Sequence, residues 1–380
     1  MKVLIGSHGY PSTKYPMNAV HEMVYAKTLK KHGIDVYVVG LDMRSIRRKR
    51  KMGLEKLEMD GIPVYTLNLP VGAVDPRLMG KISTWGLRKI LPKIYREEGL
   101  PDIIHSHFSD TSYAFAKVNR KKLPLVITEH SSLLNKEKKE DISKGLFEIS
   151  AYAFEDCDKL IIGSPYYKER IEKNFNVRTE YIPILTPTDD FEIKKKKTSF
   201  FKIVSTGNLK EAKGHRDVIQ AFDRAFEKGQ ARLFIFGEGP DRPVLEKMIT
   251  DRGLQDIVFL MGQKTTREIA QEYGDADLFV LASHSETFGK AIIEAMKSGL
   301  PVLTTKNGGS NHFIQGFNGK LTEVGNINGL AQEMRWMKDH IENYNKEKIS
   351  SFVEDQYSEE QVISQVIDVY NEVLGADHVR

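Results

Sequence analysis

Ala282-Ser-His-Ser-Glu-Thr-Phe-Gly-Lys-Ala-Ile-Ile-Glu-Ala-Met296 follows the apolar run Asp277-Leu-Phe-Val-Leu281 and precedes Gly299-Leu-Pro-Val-Leu303. The first apolar run reads as a buried strand of a parallel sheet, since it offers no polar face. The stretch after it reads as a turn and then a helix, with Ala291, Ile292, Ala295 and Met296 on one face. Glu286 falls in the turn before that helix, and Glu294 about two turns further on. Strand, turn, helix and strand make one βαβ unit, and the same alternation recurs along the chain.

Working outward, Phe201–Ser205, Arg232–Phe236, Ile257–Leu260, Leu278–Leu281 and Pro301–Leu303 are the strands expected in the second half. In the first half they are Val3–Ile5, Val36–Val39, Pro63–Leu67, Asp102–His105, Leu125–Thr128 and Leu160–Ile162. Helical patterns lie between most of them, as at His21–Lys31 and Ile142–Phe154. A chain of 380 residues exceeds what one core usually organises, so two doubly wound domains follow. Pro183-Ile-Leu-Thr-Pro187 and the run Lys194–Lys197 read as an exposed linker between them. The division is therefore 1–187 and 188–355. A last amphipathic helix over 358–375 has Ser358 as its cap, Gln361 closing a capping box, and Val362, Val366, Val369 and Val373 along one face.

Composition narrows the function. No apolar run approaches the roughly 18 residues that a membrane-spanning helix needs. Met1-Lys-Val-Leu-Ile5 runs straight into a strand without a signal peptide's apolar region. Cys157 is the only cysteine, which excludes an internal disulfide and a thiolate zinc cluster. These features point to a cytoplasmic protein. Of the 56 basic residues 35 lie in 1–200, against 25 of the 52 acidic ones, which leaves 21 against 27 beyond; the halves balance at +10 and −6. Arg44-Ser-Ile-Arg-Arg-Lys-Arg-Lys51 is the densest basic run, and Trp85-Gly-Leu-Arg-Lys-Ile-Leu-Pro-Lys-Ile94 adds a basic and apolar one. Two readings stay open here: a solvated surface, or contact with an anionic acceptor or with lipid at the inner face of the membrane. Nucleic acid is not expected, because no stacking platform or recognised module accompanies the charge.

The chemistry starts from the helix after Leu281. A helix N-terminus behind a parallel strand attracts anions through its free N–H groups and its dipole. Glu286 would repel phosphate there, so it more plausibly accepts hydrogen bonds from hydroxyls. Two acids around an anion-binding helix start suit a ligand that carries both phosphates and sugar hydroxyls. That ligand is a nucleotide sugar.

Glu286-x7-Glu294, with Phe288-Gly289 between, resembles the signature of the retaining, nucleotide-sugar-dependent glycosyltransferases of family 4, the group 1 or glycogen-synthase-like enzymes. The resemblance covers nearly the whole chain and is strongest from Phe201 to Gly319. It implies the GT-B fold, two Rossmann-like parallel-sheet domains facing a central cleft, with the last helix crossing back onto the first domain. It also implies transfer with retention from a nucleoside-diphosphate sugar, a UDP-sugar first, to an acceptor hydroxyl. No metal or other cofactor is implied, and no covalent intermediate is obligatory. The acceptor would be a cell-envelope glycan, a glycolipid or a lipid-linked precursor.

Residue by residue, Ser205-Thr-Gly-Asn-Leu-Lys-Glu-Ala-Lys-Gly214 resembles the family's diphosphate-holding element. Lys213 matches its lysine, whereas Asn208 stands where an arginine is usual, with Arg216 or Lys210 as substitutes. Gly237 in Phe236-Gly-Glu-Gly-Pro240, and Gly262 and Lys264 in Met261-Gly-Gln-Lys264, match the donor-site and nucleobase loops. Thr287, Phe288 and Gly289 would meet the departing diphosphate, Glu286 the donor sugar, and Glu294 the ribose hydroxyls. Asn307-Gly-Gly-Ser310 resembles the family's Gly-Gly turn, but a plain tight turn explains it equally.

In the first half, Ile104-His-Ser-His107 and Thr128-Glu-His130 each end a strand, where open α/β sheets bind ligands. The resemblance makes His130 the active-site histidine and His107 an acceptor or sugar contact, while His105 reads as structural. Met17-Asn18-Ala19 replaces the family's glycine pair, leaving Asn18 to touch donor or acceptor through its side chain. Two rivals remain. A dinucleotide-dependent oxidoreductase requires Gly-x-Gly-x-x-Gly after the first strand, and Ile5-Gly-Ser-His-Gly-Tyr-Pro11 does not supply it. A sugar-nucleotide-binding subunit without catalysis is kept alive by Asn208 and the missing glycine pair.

Overall fold

The computed structural model describes residues 1–12, 14–15 and 18–376, so Pro16 and Met17 of the first loop lie outside the described residues. The chain divides into two compact units, 1–185 with 359–380, and 186–358.

In the first unit the strands are β1 (Lys2–Ser7), β2 (Asp35–Asp42), β3 (Gly53–Met59), β4 (Ile62–Asn68), β5 (Ile103–His107), β6 (Leu125–Glu129), β7 (Lys159–Ile162) and β8 (Glu180–Tyr181). They lie in the order β3-β4-β2-β1-β5-β6-β7-β8. All pair in parallel except β3, which runs antiparallel to β4 with Met59 opposite Ile62. The strand β3 is not apparent as an apolar run because Glu55, Lys56 and Glu58 interrupt it. Its signal is the turn: Asp60 and Gly61 both take positive φ, 52° and 72°, the Asp-Gly hairpin conformation.

Both faces of this sheet are covered. On one, Leu4, Tyr37 and Val39 pack with Leu87, Ile90, Leu91 and Ile94 of the helix Pro76–Glu98 and with Phe115 and Phe154. On the other, Val3, Ile5 and Val36 meet Val362, Ile363, Val366, Val369, Tyr370 and Val373 of the helix Glu359–Ala376. The four valines spaced along that helix therefore bury against β1 and β2, at about 1.5–3 kcal/mol for each apolar side chain removed from water.

The second unit holds β9 (Lys202–Thr206), β10 (Arg232–Phe236), β11 (Val258–Gly262), β12 (Leu278–Leu281), β13 (Val302–Thr305) and β14 (Gly319–Thr322), all parallel. Their order is β11-β10-β9-β12-β13-β14. The edge strand β14, Gly-Lys-Leu-Thr, carries too little apolar character to be expected. Gly319 is required there, since a Cβ would stand 2.2 Å from the Val302 carbonyl oxygen. In each sheet the chain reverses direction of winding once, between β1 and β5 and between β9 and β12. Loops leaving the carboxyl ends of those strands diverge and leave a crevice where such sheets take ligands.

Candidate functional site

At the switch point of the second unit, two loops meet because glycines let them. Gly214 takes φ 65°, and a Cβ there would stand 1.9 Å from the Ala282 carbonyl oxygen. The loop after β9 is thus pressed against the end of β12, and His284 N–H donates to the Ala212 carbonyl at 2.9 Å. This approach sets Lys213 beside Glu286: Lys213 Nζ donates to Glu286 Oε1 at 2.7 Å, as does Ser283 Oγ at 2.7 Å. Sequence reasoning gave these residues separate tasks. The fold makes them an ion pair.

Glu286 is held from behind by the turn after β13. Its N–H donates to the Asn307 carbonyl and its own carbonyl accepts from Gly309 N–H, each at 3.1 Å. A Cβ at Gly309 would come within 2.5 Å of Glu286 O, so Asn307-Gly-Gly-Ser310 is a close-approach turn rather than a generic one. Asn307 Oδ1 accepts from Ser310 Oγ at 2.7 Å, which closes the turn.

The helix spans Lys290–Lys297, capped by Gly289 at φ 104°, where a Cβ would press within 3.0 Å of Ser310 Cβ. Glu294 stands one turn inside it, eight residues beyond Glu286. Its buried residues are Ile292, Ile293, Ala295 and Met296, so Ile293 replaces the expected Ala291 on the core side. Phe288 lies in the bend just before the helix. Its ring is buried and packs edge-on against Phe313 at 4.9 Å, so only its backbone remains to face a diphosphate. Burial holds the Glu294 carboxyl above its ordinary pKa, against the downward pull of Lys290 one turn earlier. Thr287 is half-buried beside them.

The loops after β9, β10 and β11 are stitched in the same way. Gly237 takes φ 141°, and a Cβ there would lie 1.9 Å from the Gly207 carbonyl oxygen. Gly237 N–H donates to the Gly262 carbonyl at 2.9 Å, and Leu209 N–H to that of Glu238 at 3.0 Å. Gly237 is therefore demanded by loop packing, whatever else it serves. Gly262 turns at φ 74°. Lys264 pairs with Glu268 at 3.1 Å, one turn along the helix that follows. Asn208 is exposed, and Arg216, one of its two expected substitutes, is engaged by Asp241 at 3.4 Å.

The switch point of the first unit is built from side chains instead. His8, after β1, meets Asp110 at 2.8 Å, across the divergence from β5. Burial lowers the His8 pKa, but Asp110 and Glu22 outweigh it and hold it well above the ordinary histidine value. For Asp110, burial raises the pKa, while His8 and the Thr111 N–H pull it down, with a net lowering. Phe108, which leads into the helix Ser109–Asn119, takes φ 62° without being glycine. Ala19, in the loop that lacks the family's glycine pair, likewise takes φ 54°. None of His8, Glu22 and Asp110 was singled out from the sequence. An acid in the first turn of a helix behind a strand was the available signal for Asp110.

His107 and His130 lie together, with Nδ1 of one 3.1 Å from Nε2 of the other and rings parallel within 7°. His107 is fully buried, and burial pushes its pKa well below the ordinary value. It lies behind His130, which is 9% exposed. His105 is structural as expected: its nitrogens meet Tyr370 Oη at 2.6 Å and Thr128 Oγ1 at 2.7 Å, and burial pushes its pKa down to about 3. Glu129 is buried and accepts from the N–H groups of Ser109 at 2.8 Å and Ser131 at 2.6 Å, so it anchors the two loops. Asn18 Nδ2 donates to the Tyr10 carbonyl at 3.2 Å.

The basic run resolves into two kinds of arginine. Arg50 is only 7% exposed and pairs with buried Asp42 at 3.0 Å. It also donates to the carbonyls of Asp42 at 3.1 Å, Arg44 at 2.8 Å and Leu69 at 2.9 Å. Arg50 is thus a scaffold of the loop and not part of a charged surface, whereas Arg47, Arg48 and Lys49 are exposed. The Trp85 stretch belongs to the helix Pro76–Glu98, which buries Leu87, Ile90, Leu91 and Ile94 and leaves Trp85 59% exposed. Among the described residues no helix is long and apolar enough to cross a membrane. Among them, too, no group of three or more His, Cys, Asp or Glu is placed to hold a metal ion.

Residues 187–359 match the family described as glycosyl transferases group 1, and residues 19–187 match glycosyltransferase family 4. N-acetyl-alpha-D-glucosaminyl L-malate synthase of Bacillus anthracis is 31% identical over 178 residues, 46% of each chain. The 2-deoxystreptamine N-acetyl-D-glucosaminyltransferase of Niallia circulans is 28% identical over 56% of this chain and 51% of its own. The matched stretch thus spans about half the length of these two relatives. Sucrose-phosphate synthase from Thermosynechococcus elongatus has the same fold at a TM-score of 0.81, with 17% identity and 99% of both chains covered. HepE from Anabaena, solved in complex with UDP and glucose, follows at 0.73, with 18% identity over 98% of this chain and 100% of its own.

Proposed function

The chain belongs to the group 1, family 4 glycosyltransferases, with their two-domain GT-B fold, and on that premise we propose that it transfers a hexosyl group, with retention, from a UDP-sugar to an acceptor hydroxyl. The observation that carries this reading is the Lys213–Glu286 pair at 2.7 Å, set at the start of the helix Lys290–Lys297. An ammonium and the free N–H groups of a helix start converge on one place, and charge grows on the diphosphate there as the anomeric C–O bond breaks. Glu286, already accepting from Ser283 and Lys213, is the acceptor for donor-sugar hydroxyls. Glu294, one turn into the helix, takes the ribose hydroxyls.

The acceptor oxygen replaces the diphosphate on the same face of the sugar. Its proton leaves to the departing phosphate oxygen, which grows more basic as the bond to carbon breaks. Lys213 and the helix dipole supply the positive charge, so no metal is required by this scheme. HepE, the structural neighbour, is solved with UDP-glucose, which supports a UDP-sugar as donor. The acceptor is a cell-envelope glycan, a glycolipid or a lipid-linked precursor, met in the cytoplasm or at the inner face of the membrane.

The test is release of UDP from labelled UDP-sugars by the full chain, with and without EDTA. Turnover of at least one UDP-sugar that survives EDTA is expected. Binding without turnover would instead favour a non-catalytic sugar-nucleotide-binding subunit. Exposed Asn208, and Arg216 occupied by Asp241, are the observations on that side.

A further inference from the structure

We infer that the pocket beside β1 and β2 of the first unit is an acceptor subsite for a compact hydroxylated molecule carrying an anionic group, with Arg48 as the residue that selects the anion. The inference rests on the transferase reading above, but for the second substrate it puts a compact anionic molecule in place of the glycan or lipid-linked acceptor. The pocket has a volume of ≈ 520 Å³ and is lined entirely by first-unit residues, among them His8, Met43, Arg44, Arg48, Met79 and Asp110. That is within the usual range of about 300–1,000 Å³ for small-molecule sites, and apolar walls with a few placed polar groups are their normal make-up.

Its charge is divided. Arg44 is spoken for, since it grips Asp42 through Nε at 3.0 Å and Nη2 at 2.6 Å. Arg50 uses the same carboxylate at 3.0 Å. One acid therefore answers two arginines, and Arg48, also at the pocket, has no acidic partner among the described residues. The guanidinium of Arg44 lies 4.5 Å from the centre of the Tyr15 ring and that of Arg48 5.8 Å, so the ring gathers both into one cationic wall. A guanidinium fork fits carboxylate or phosphate and has no acid to lose by turning to one.

The other polar group is of opposite character. Asp110 accepts from His8 at 2.8 Å and from Thr111 N–H at 2.8 Å, which leaves its second oxygen for a hydroxyl donor. An anion is unwelcome beside this carboxylate and welcome beside Arg48. The pocket thus orients a molecule with a hydroxyl at one end and a negative group at the other. A carboxylate and a phosphate meet this chemistry equally.

Gluconate, glucose 6-phosphate and glucose share a six-carbon hydroxylated frame and differ in charge, so titration calorimetry of each into the full chain is the test. Both anions should bind at least about tenfold more tightly than glucose, the usual worth of one charge-assisted hydrogen bond. Arg48→Gln should bring the three to parity with an unchanged melting temperature, Arg47→Gln should leave the preference intact, and Asp110→Asn should weaken all three. A preference between the two anions identifies the head group, and binding to phosphatidylglycerol vesicles tests whether a lipid source competes. Equal affinities in the wild type, a preference that survives Arg48→Gln, no binding by any of the three, or an Arg48-dependent preference for vesicles alone would overturn the inference. Anion selectivity without UDP-sugar turnover would sink the transferase reading and leave this one standing. Turnover on acceptors with no anion preference would do the reverse.

Discussion

The two switch points are made in opposite ways. That of the second unit is a backbone construction: Gly214, Gly237, Gly289 and Gly309 allow loops to touch at distances no Cβ would permit, and one Lys–Glu pair results. That of the first unit is a side-chain construction, with His8, Glu22, Asp110, His107 and His130 packed against one another and non-glycine residues, Ala19 and Phe108, held at positive φ. A site built on backbone geometry can hold a diphosphate whose shape does not vary. A site built on side chains can be rewritten for a new acceptor without disturbing the sheet beneath it.

The contrast breaks most readily at Gly214. Gly214→Ala should remove activity altogether and lower the unfolding temperature of the second unit, because the new Cβ would stand 1.9 Å from the Ala282 carbonyl oxygen and the loop must move. Near-normal activity in that variant would mean that Lys213 is not placed by this contact. Lys213→Ala is next. Turnover should fall about 10²–10³-fold, with a much smaller change in UDP-sugar affinity, since the ammonium acts mainly on charge that grows in the transition state. Equal losses in kcat and in binding would assign Lys213 to ground-state binding instead.

Glu294→Ala should weaken UDP-sugar binding by about tenfold or more while the fold survives, as expected for a charge-assisted hydrogen bond of about 1.5–3 kcal/mol. The same residue predicts a pH dependence. Burial raises its pKa, so the proton is held more tightly in the folded chain than in the unfolded one. Ionised Glu294 therefore costs stability above its folded pKa, and that cost is relieved as pH falls through it. Donor binding has the opposite need, because ribose hydroxyls donate to the ionised form. Affinity should decline on acidification at a pH above the ordinary carboxylate value of about 4.3, and Glu294→Gln should flatten the profile. A wild-type profile that is already flat would remove Glu294 from the donor site.

The smallest effect sharpens the other side. Ala19→Gly relieves a left-handed alanine but adds freedom to the unfolded chain, so the two terms of roughly 1 kcal/mol nearly cancel. Thermal unfolding should shift by only a few degrees. A large loss of stability would show that the Ala19 methyl packs in a way its backbone angle does not reveal.

Much of the second site was legible because glycine spacing and the Glu286-x7-Glu294 pattern are local. The helix starts at Lys290 behind Gly289 at positive φ, and the Phe288 ring packs into the core, details that no local pattern specifies. On the first unit, His130 was legible at the end of its strand. The partners His8 and Asp110 were not, since 102 residues separate them and neither stands in a motif. The role of Arg50 was hidden because its charge is answered by Asp42 and by carbonyls of residues well before and after it.

Alternation of apolar runs with helical periodicity was enough to expect two parallel sheets, and the Glu286-x7-Glu294 motif between its two strands carried the resemblance to the family. These are properties of neighbours along the chain, where side-chain period and backbone freedom act within a few residues. Strand order decided the rest. It brings the loops after β9 and β12 together so that Lys213 reaches Glu286, and the loops after β1 and β5 so that His8 reaches Asp110. Charge on a sequence does not say whether it will be buried, paired or free. Only the packing of distant loops settles that, which is why Arg44 and Arg50 became structure while Arg48 kept its charge for the pocket.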